Sequence, residues 1–261
     1  MSIVDVEVAD GAVLRVTDEG EGRPLLFVHG LACDTSDWLA QLRRFRSDYR
    51  VIAPDLRGHG RSTVTSEGYD LDTYTDDLVR LLDELEVRSC VVIGHSLGSL
   101  IAGWLAIEYP SRVSALVGLD PAWAAPSERS MYQKFAAAAA EPGGFASVFE
   151  KSDSALTPEY FRESHRRGAL TTNPRVIEKT WQNCFLVENA VAFDENQLRR
   201  RTCPMLVVHS KSHQGRAAWQ KTISVHPADV VVELPVGHWP HHDAPEIINQ
   251  LIADWIVELP C

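Results

Sequence analysis

The sequence predicts an α/β fold: a mostly parallel sheet covered by helices on both faces, with a helical segment inserted late in the chain. Three observations carry this. Short, continuously apolar runs alternate with stretches of helical period, the pattern of strands buried on both faces. The run from Cys90 to Trp104, CVVIGHSLGSLIAGW, passes from an apolar strand to an apolar helix through a Gly-x-Ser-x-Gly turn. The stretch from Pro121 to Arg201 contains no strand-like run and is too long for a simple connection.

Taken in order, Ile3–Val8 and Ala12–Val16 form two short strands joined at Asp10-Gly11, a hairpin signal. Pro24 introduces the buried strand LLFVHG, ending at His29-Gly30. RVIAPDLRGHGRS supplies another strand and then a glycine-rich loop. Leu71 to Leu85 is helical, with Leu78, Leu81, Leu82 and Leu85 on one face. Val113–Leu119, Pro204–Ser210 and Val230–Leu234 are further strands, and Ala244–Val257 closes the chain as an amphipathic helix. Helical patches such as MYQKFAAAAA and PEYFRESHRR mark the insertion. The expected division is a core of residues 1–120 and 202–261 with a helical cap of 121–201.

The chain has 261 residues, 45% hydrophobic and 23% charged, with a net charge of −11. That acidity argues against nucleic acid and anionic membrane surfaces as partners, since both need a basic face. No apolar run is long enough to span a bilayer, and MSIVDVEVAD lacks the features of a signal peptide. Cys33, Cys90, Cys184, Cys203 and Cys261 are scattered and odd in number, which suggests neither a disulfide framework nor a zinc site. A cytoplasmic location is the expectation.

Ser96 sits where a strand turns sharply into a helix. Gly94 and Gly98 relieve the crowding of that turn. The helix start directs backbone N–H groups and its positive dipole end toward developing negative charge. The N–H of Leu97 is one expected oxyanion donor, and the N–H of Leu31, after His29-Gly30, is the other.

His29-Gly30, DLRGHGRS and GHSLGS, in this order and spacing, resemble the α/β-hydrolase superfamily over essentially the whole chain outside the cap. The resemblance implies an eight-stranded sheet and a triad in the order serine, acid, histidine. His238, in LPVGHWPHHDAPE, is similar in place and context to the family's catalytic histidine. His241 and His242 follow closely, but adjacent histidines at a helix start aim poorly at one ion, so no metal is expected. Many family members carry the acid just after the seventh strand. Here Val208 is followed by His209, Ser210, Lys211, Ser212 and His213, with no carboxylate. Asp120, at the end of the sixth strand, is the expected acid, because neighbouring strand ends converge at the carboxyl edge of a parallel sheet. Haloalkane dehalogenases and zearalenone-type lactonases are similar in this respect. Glu233, inside a strand, is the weaker rival.

The dehalogenases use an aspartate nucleophile, which Ser96 rules out. The expectation is hydrolysis of a carboxylic ester or lactone through an acyl-enzyme, without a cofactor, on an apolar, ring-bearing small molecule. Expected substrate contacts are Gly30, His95, Trp123, Trp181 and Trp239. Met131, Tyr132, Phe135, Phe149, Tyr160, Phe161 and Phe185 add an apolar lining, part of which is cap core. Two other readings stay open. Cofactor-free dioxygenases that open quinolone rings resemble the chain in acid position, though they tend to carry a histidine where Leu97 stands. A hydrolase-fold ligand receptor is the non-enzymatic alternative. The oligomeric state is open, a homodimer included.

Overall fold

Eight strands form one sheet in the order β1-β2-β4-β3-β5-β6-β7-β8 in a computed structural model that describes residues 2–123, 144–185, 195–211 and 215–259. The strands are β1 (Ile3–Glu7), β2 (Val13–Glu19), β3 (Pro24–Val28), β4 (Arg50–Pro54), β5 (Cys90–His95), β6 (Val113–Leu119), β7 (Met205–Ser210) and β8 (Val230–Leu234). β1 and β2 form the antiparallel hairpin, with Val6 opposite Leu14. Asp10 and Gly11 in its connection hold positive φ, 58° and 70°. β2 also pairs antiparallel with β4, and every later pairing is parallel.

Two apolar layers sandwich this sheet. On one face α2 (Leu71–Glu84) and α3 (Leu97–Glu108) cover Leu26, Val92 and Leu116. On the other, α1 (Leu39–Phe45) and the C-terminal helix Pro245–Glu258 cover Phe27, Ile93 and Val117. α2 starts at Asp70, whose side chain accepts the Thr73 N–H as an N-cap. Leu78, Leu81 and Leu82 on its inner face are fully buried, each contributing about 1.5–3 kcal/mol by leaving water. α2 also anchors the DLRGHG loop. Asp77 accepts two hydrogen bonds from Arg57, at 2.7 and 2.6 Å, and both side chains are buried.

Between β6 and β7 the described residues are helical or irregular: α4 (Gly144–Glu150), α5 (Glu159–Thr171), α6 (Pro174–Thr180), a π-helical turn at Trp181–Phe185, and α7 (Glu195–Leu198). Met131, Tyr132, Phe135 and the alanine run 136–140 lie outside the described residues. Two hydroxyls before α5 tie this segment to the rest of the molecule: Ser154 and Thr157 each donate to Asp243 at 2.7 Å. α8 (Arg216–Thr222) follows β7, α9 (Pro240–Asp243) follows β8, and α10 is Pro245–Glu258. No helix among the described residues is long and apolar enough to cross a membrane. Cys33, Cys90, Cys184 and Cys203 are buried free thiols; Cys261 lies outside the described residues.

Candidate active site

The parallel register of β5 and β6 pairs His95 with Leu119. The next residue on each strand is therefore Ser96 on one and Asp120 on the other, side by side at the carboxyl edge of the sheet. Both leave ordinary strand geometry, with φ of 50° at Ser96 and 38° at Asp120. These are left-handed conformations that cost a non-glycine residue free energy and persist only where the surroundings enforce them. At Ser96 the enforcement is visible. Its N–H donates to the Leu119 carbonyl at 3.2 Å, and its own carbonyl accepts from Ser99 and Leu100 in the first turn of α3. The two glycines of the motif are obligatory for the same reason. A Cβ on Gly98 would stand 2.0 Å from the Val28 carbonyl oxygen, and one on Gly94 would stand 2.4 Å from the Gly98 backbone.

His238 arrives from the loop between β8 and α9. Its Nε2 lies 3.1 Å from Ser96 Oγ, and its Nδ1 lies 2.7 Å from Asp120 Oδ2. Asp120 is fully buried, while the His238 side chain keeps 24% exposure toward the cavity. The second Asp120 oxygen is also engaged: Oδ1 accepts the backbone N–H of Ser210 at 2.9 Å. Thus the end of β7, where a carboxylate is lacking, instead donates an N–H to the carboxylate on β6. The His238 loop is itself held, because Gly237 N–H donates to Asp243 Oδ2 at 2.7 Å. Glu233 points away on an exposed position of β8.

Leu97 is the first residue of α3, and its N–H is one of those a helix leaves without an intrahelical acceptor. Leu31 lies in the loop after β3 and lines the same cavity as Ser96. His29 braces that loop: its Nδ1–H donates to the Gly30 carbonyl at 2.7 Å, and its Nε2 accepts the Leu56 N–H at 2.9 Å.

A cavity of about 560 Å³ opens over Ser96 and His238. Gly30, Leu31, Phe145, Phe149, Trp181, Phe185 and Trp239 give it a mainly apolar wall, and Lys151 and Arg216 add two basic groups. Three expectations from the sequence are corrected here. Trp123 does not line the cavity; it is fully buried in the core, its ring beside Gly118. Tyr160 and Phe161 face elsewhere: Tyr160 is exposed, and Phe161 stacks on His242 with centroids 3.7 Å apart. His95 borders the cavity but is only 1% exposed, and its Nε2–H donates to the His238 carbonyl at 2.7 Å. It therefore props the backbone of His238 rather than presenting itself to substrate.

Sequence reasoning missed this layer behind the site. His95, His241 and His242 pack ring to ring, with centroids 4.6 Å apart for the first pair and 4.1 Å for the second. Burial pushes the imidazoles of all three well down from the usual histidine range, and neighbouring imidazoles push them further. They are neutral rings in a buried layer.

The sequence profile described as the alpha/beta hydrolase family matches residues 25–251. A non-heme chloroperoxidase of Streptomyces lividans is 33% identical over 237 residues, covering 80% of this chain and 82% of that protein. Among solved structures, a thermophilic esterase from Thermogutta terrifontis superposes with a TM-score of 0.82 at 25% identity, over 99% of each chain. Est816, described as an N-acyl homoserine lactone degrading enzyme, superposes with a TM-score of 0.81 at 25% identity, over 96% of this chain and 99% of the other. The chain belongs to the alpha/beta hydrolase family.

Proposed function

We propose that this protein is a serine hydrolase that cleaves a carboxylic ester or lactone of an apolar, ring-bearing small molecule through an acyl-enzyme. One observation carries the reading: the continuous hydrogen-bond path from Ser96 Oγ through both nitrogens of His238 to buried Asp120, at 3.1 and 2.7 Å. Ser96 Oγ attacks the carbonyl carbon as His238 Nε2 takes its proton. Asp120 holds the Nδ1–H tautomer and stabilises the imidazolium that forms. The N–H groups of Leu31 and Leu97 receive the oxyanion. His238 then returns the proton to the leaving oxygen, and water, deprotonated by the same imidazole, releases the acid and restores Ser96.

The apolar wall supports the substrate class, since aromatic faces reward flat or branched hydrocarbon more than short polar chains. The names of the structures it resembles, an esterase and an N-acyl homoserine lactone degrading enzyme, agree with this reading. The described helices between β6 and β7, α4 to α7, serve as a cap that shapes this pocket. The buried thiols suit a cytoplasmic setting.

The test is a panel of aryl esters graded in acyl size, together with lactones of increasing side-chain length. kcat/KM rises with apolar size in the wild type and falls at least about 10⁴-fold in Ser96→Ala. Turnover confined to short, strongly polar esters overturns the substrate class, and undiminished turnover by Ser96→Ala overturns the mechanism.

A further inference from the structure

Behind the nucleophile, three buried side chains from three different elements bring polar ligand atoms together. Asp37 precedes α1, His95 ends β5, and His241 lies in α9; they are 3%, 1% and 0% exposed. One ligand atom from each lies within 4.8 Å of those from the other two. Among the described residues, Asp37 Oδ2, His95 Nδ1 and both ring nitrogens of His241 have no hydrogen-bond partner, although all are buried. Unpaired buried polar atoms are costly, so a convergence of several demands a common partner.

The chemistry of the three groups narrows what that partner is. His95 Nε2 faces the His238 carbonyl oxygen, which only accepts, so Nε2 carries the hydrogen and Nδ1 of the neutral ring is a lone pair. Neutral His241 likewise offers a lone pair on one nitrogen, and the Asp37 carboxyl, which burial pushes up and which also meets the Cys33 thiol, offers lone pairs to a cation by releasing its proton. A water molecule donates to two acceptors, whereas a cation answers all three. A carboxylate with two imidazoles is a donor set for zinc and its neighbours in the first transition row. Such ions hold their ligand atoms about 3–4 Å apart, a small contraction from the spacing here. Metal-binding imidazoles also characteristically donate their other N–H to a carbonyl or carboxylate, as His95 does.

The neighbouring histidines are otherwise engaged. His242 Nε2 donates to the Asp37 carbonyl at 2.9 Å and its Nδ1 meets His165 Nε2 at 3.1 Å, while His165 Nδ1 meets Asp153 Oδ1 at 2.8 Å. Adjacent His241 and His242 aim apart: His242 turns to His165, and His241 lies beside Asp37 and His95. A second cavity, of about 230 Å³ and lined by Cys33, Asp34, Asp37 and His165, borders Asp37 on its other side.

We propose that Asp37, His95 and His241 bind one divalent transition ion of the zinc class, and that this ion braces the loop of His238 through His95. The proposal is independent of the substrate reading.

The experiment takes the full chain, stripped with a chelator and dialysed, and titrates it with Co²⁺ as a spectroscopic probe, followed by displacement with Zn²⁺. The expected result is one equivalent bound, with visible absorption bands of nitrogen and oxygen ligation and a rise in Tm on Zn²⁺ loading. Asp37→Asn and His241→Gln, checked for folding by circular dichroism, each weaken binding at least about tenfold. His238→Ala leaves stoichiometry and affinity unchanged, which separates this site from the catalytic imidazole. The proposal is overturned by the absence of stoichiometric binding to folded wild type, or by affinity that survives both ligand substitutions. It is equally overturned by a thiolate charge-transfer band, which would place the ion on Cys33, or by loss of binding in His238→Ala. The wild-type spectrum decides the matter even where a variant fails to fold.

Discussion

Replacing Asp120 by asparagine tests the arrangement of the site more sharply than deleting the side chain, because shape is kept while charge and donor pattern change. Asp120 Oδ1 accepts the Ser210 N–H at 2.9 Å. In Asp120→Asn that N–H still needs an acceptor, so the amide oxygen stays there and the NH₂ group turns toward His238 Nδ1. An NH₂ group only donates, so Nδ1 becomes the lone pair and the ring proton moves to Nε2, facing Ser96 Oγ. The imidazole then no longer accepts the serine proton. The charge is lost as well. For unit charges about 4 Å apart at an effective dielectric of 20, that is worth about 4 kcal/mol of imidazolium stabilisation, or roughly 10³ in rate. Together with the tautomer change, the fall in kcat/KM is about 10⁴-fold. The assay is steady-state hydrolysis of an activated aryl ester, with thermal unfolding to verify that the variant is folded. Activity within tenfold of wild type would refute the reasoning, as would an equal loss in Glu233→Gln, which alters an exposed β8 residue.

Other outcomes follow from the same geometry. Gly98→Ala drives a methyl group into the Val28 carbonyl oxygen, 2.0 Å away; it costs about 3 kcal/mol or more in denaturant unfolding, because neither backbone has room to yield. Asp77→Ala strands the buried Arg57 guanidinium and lowers stability by about 3–5 kcal/mol, measured the same way. Asp243→Asn leaves one acceptor oxygen where two serve Ser154, Thr157 and Gly237, and puts an NH₂ donor against at least one of them. The His238 loop shifts, and kcat/KM falls about 10- to 100-fold with little change in Tm. Burial pushes His59 down to about 3, from 6.5 in the unfolded chain. Below pH 6.5 the unfolded state therefore binds a proton that the folded state refuses. His59 alone therefore lowers stability with decreasing pH by about 1.4 kcal/mol per unit, and its share levels off below pH 3. His59→Gln removes one proton's worth of that slope in urea titrations between pH 4 and 6.5, and identical slopes would contradict the assignment.

The strands were legible because a parallel sheet covered on both faces demands unbroken apolar runs, and LLFVHG, CVVIGH and MLVVHS supply them. Ser96 was legible because crowding at the turn restricts positions 94 and 98 to glycine. The location of Asp120 was inferred from a lack, the stretch after Val208 without a carboxylate, combined with the convergence of strand ends. The support it receives from Ser210 N–H was not legible, since a backbone donor leaves no trace in residue type. The aromatic wall was legible only in bulk. Trp123 and Trp181 belong to the same insertion, yet one is sealed in the core and the other faces the cavity. Which way each points is decided by packing against Gly118 or Phe185, not by local pattern. The layer of His95, His241 and Asp37 was least visible of all, because it joins positions more than fifty residues apart whose burial only the tertiary fold creates.

The most direct test of the central claim, that Ser96 is a poised nucleophile, is the intact mass of the protein after incubation with a fluorophosphonate. Wild type is predicted to gain a single adduct, which peptide mapping places on Ser96, while Ser96→Ala gains none and His238→Ala gains it far more slowly. An unlabelled but folded wild type would contradict the acyl-enzyme mechanism, and oxygen uptake with a hydroxyquinolone would then be the activity to measure.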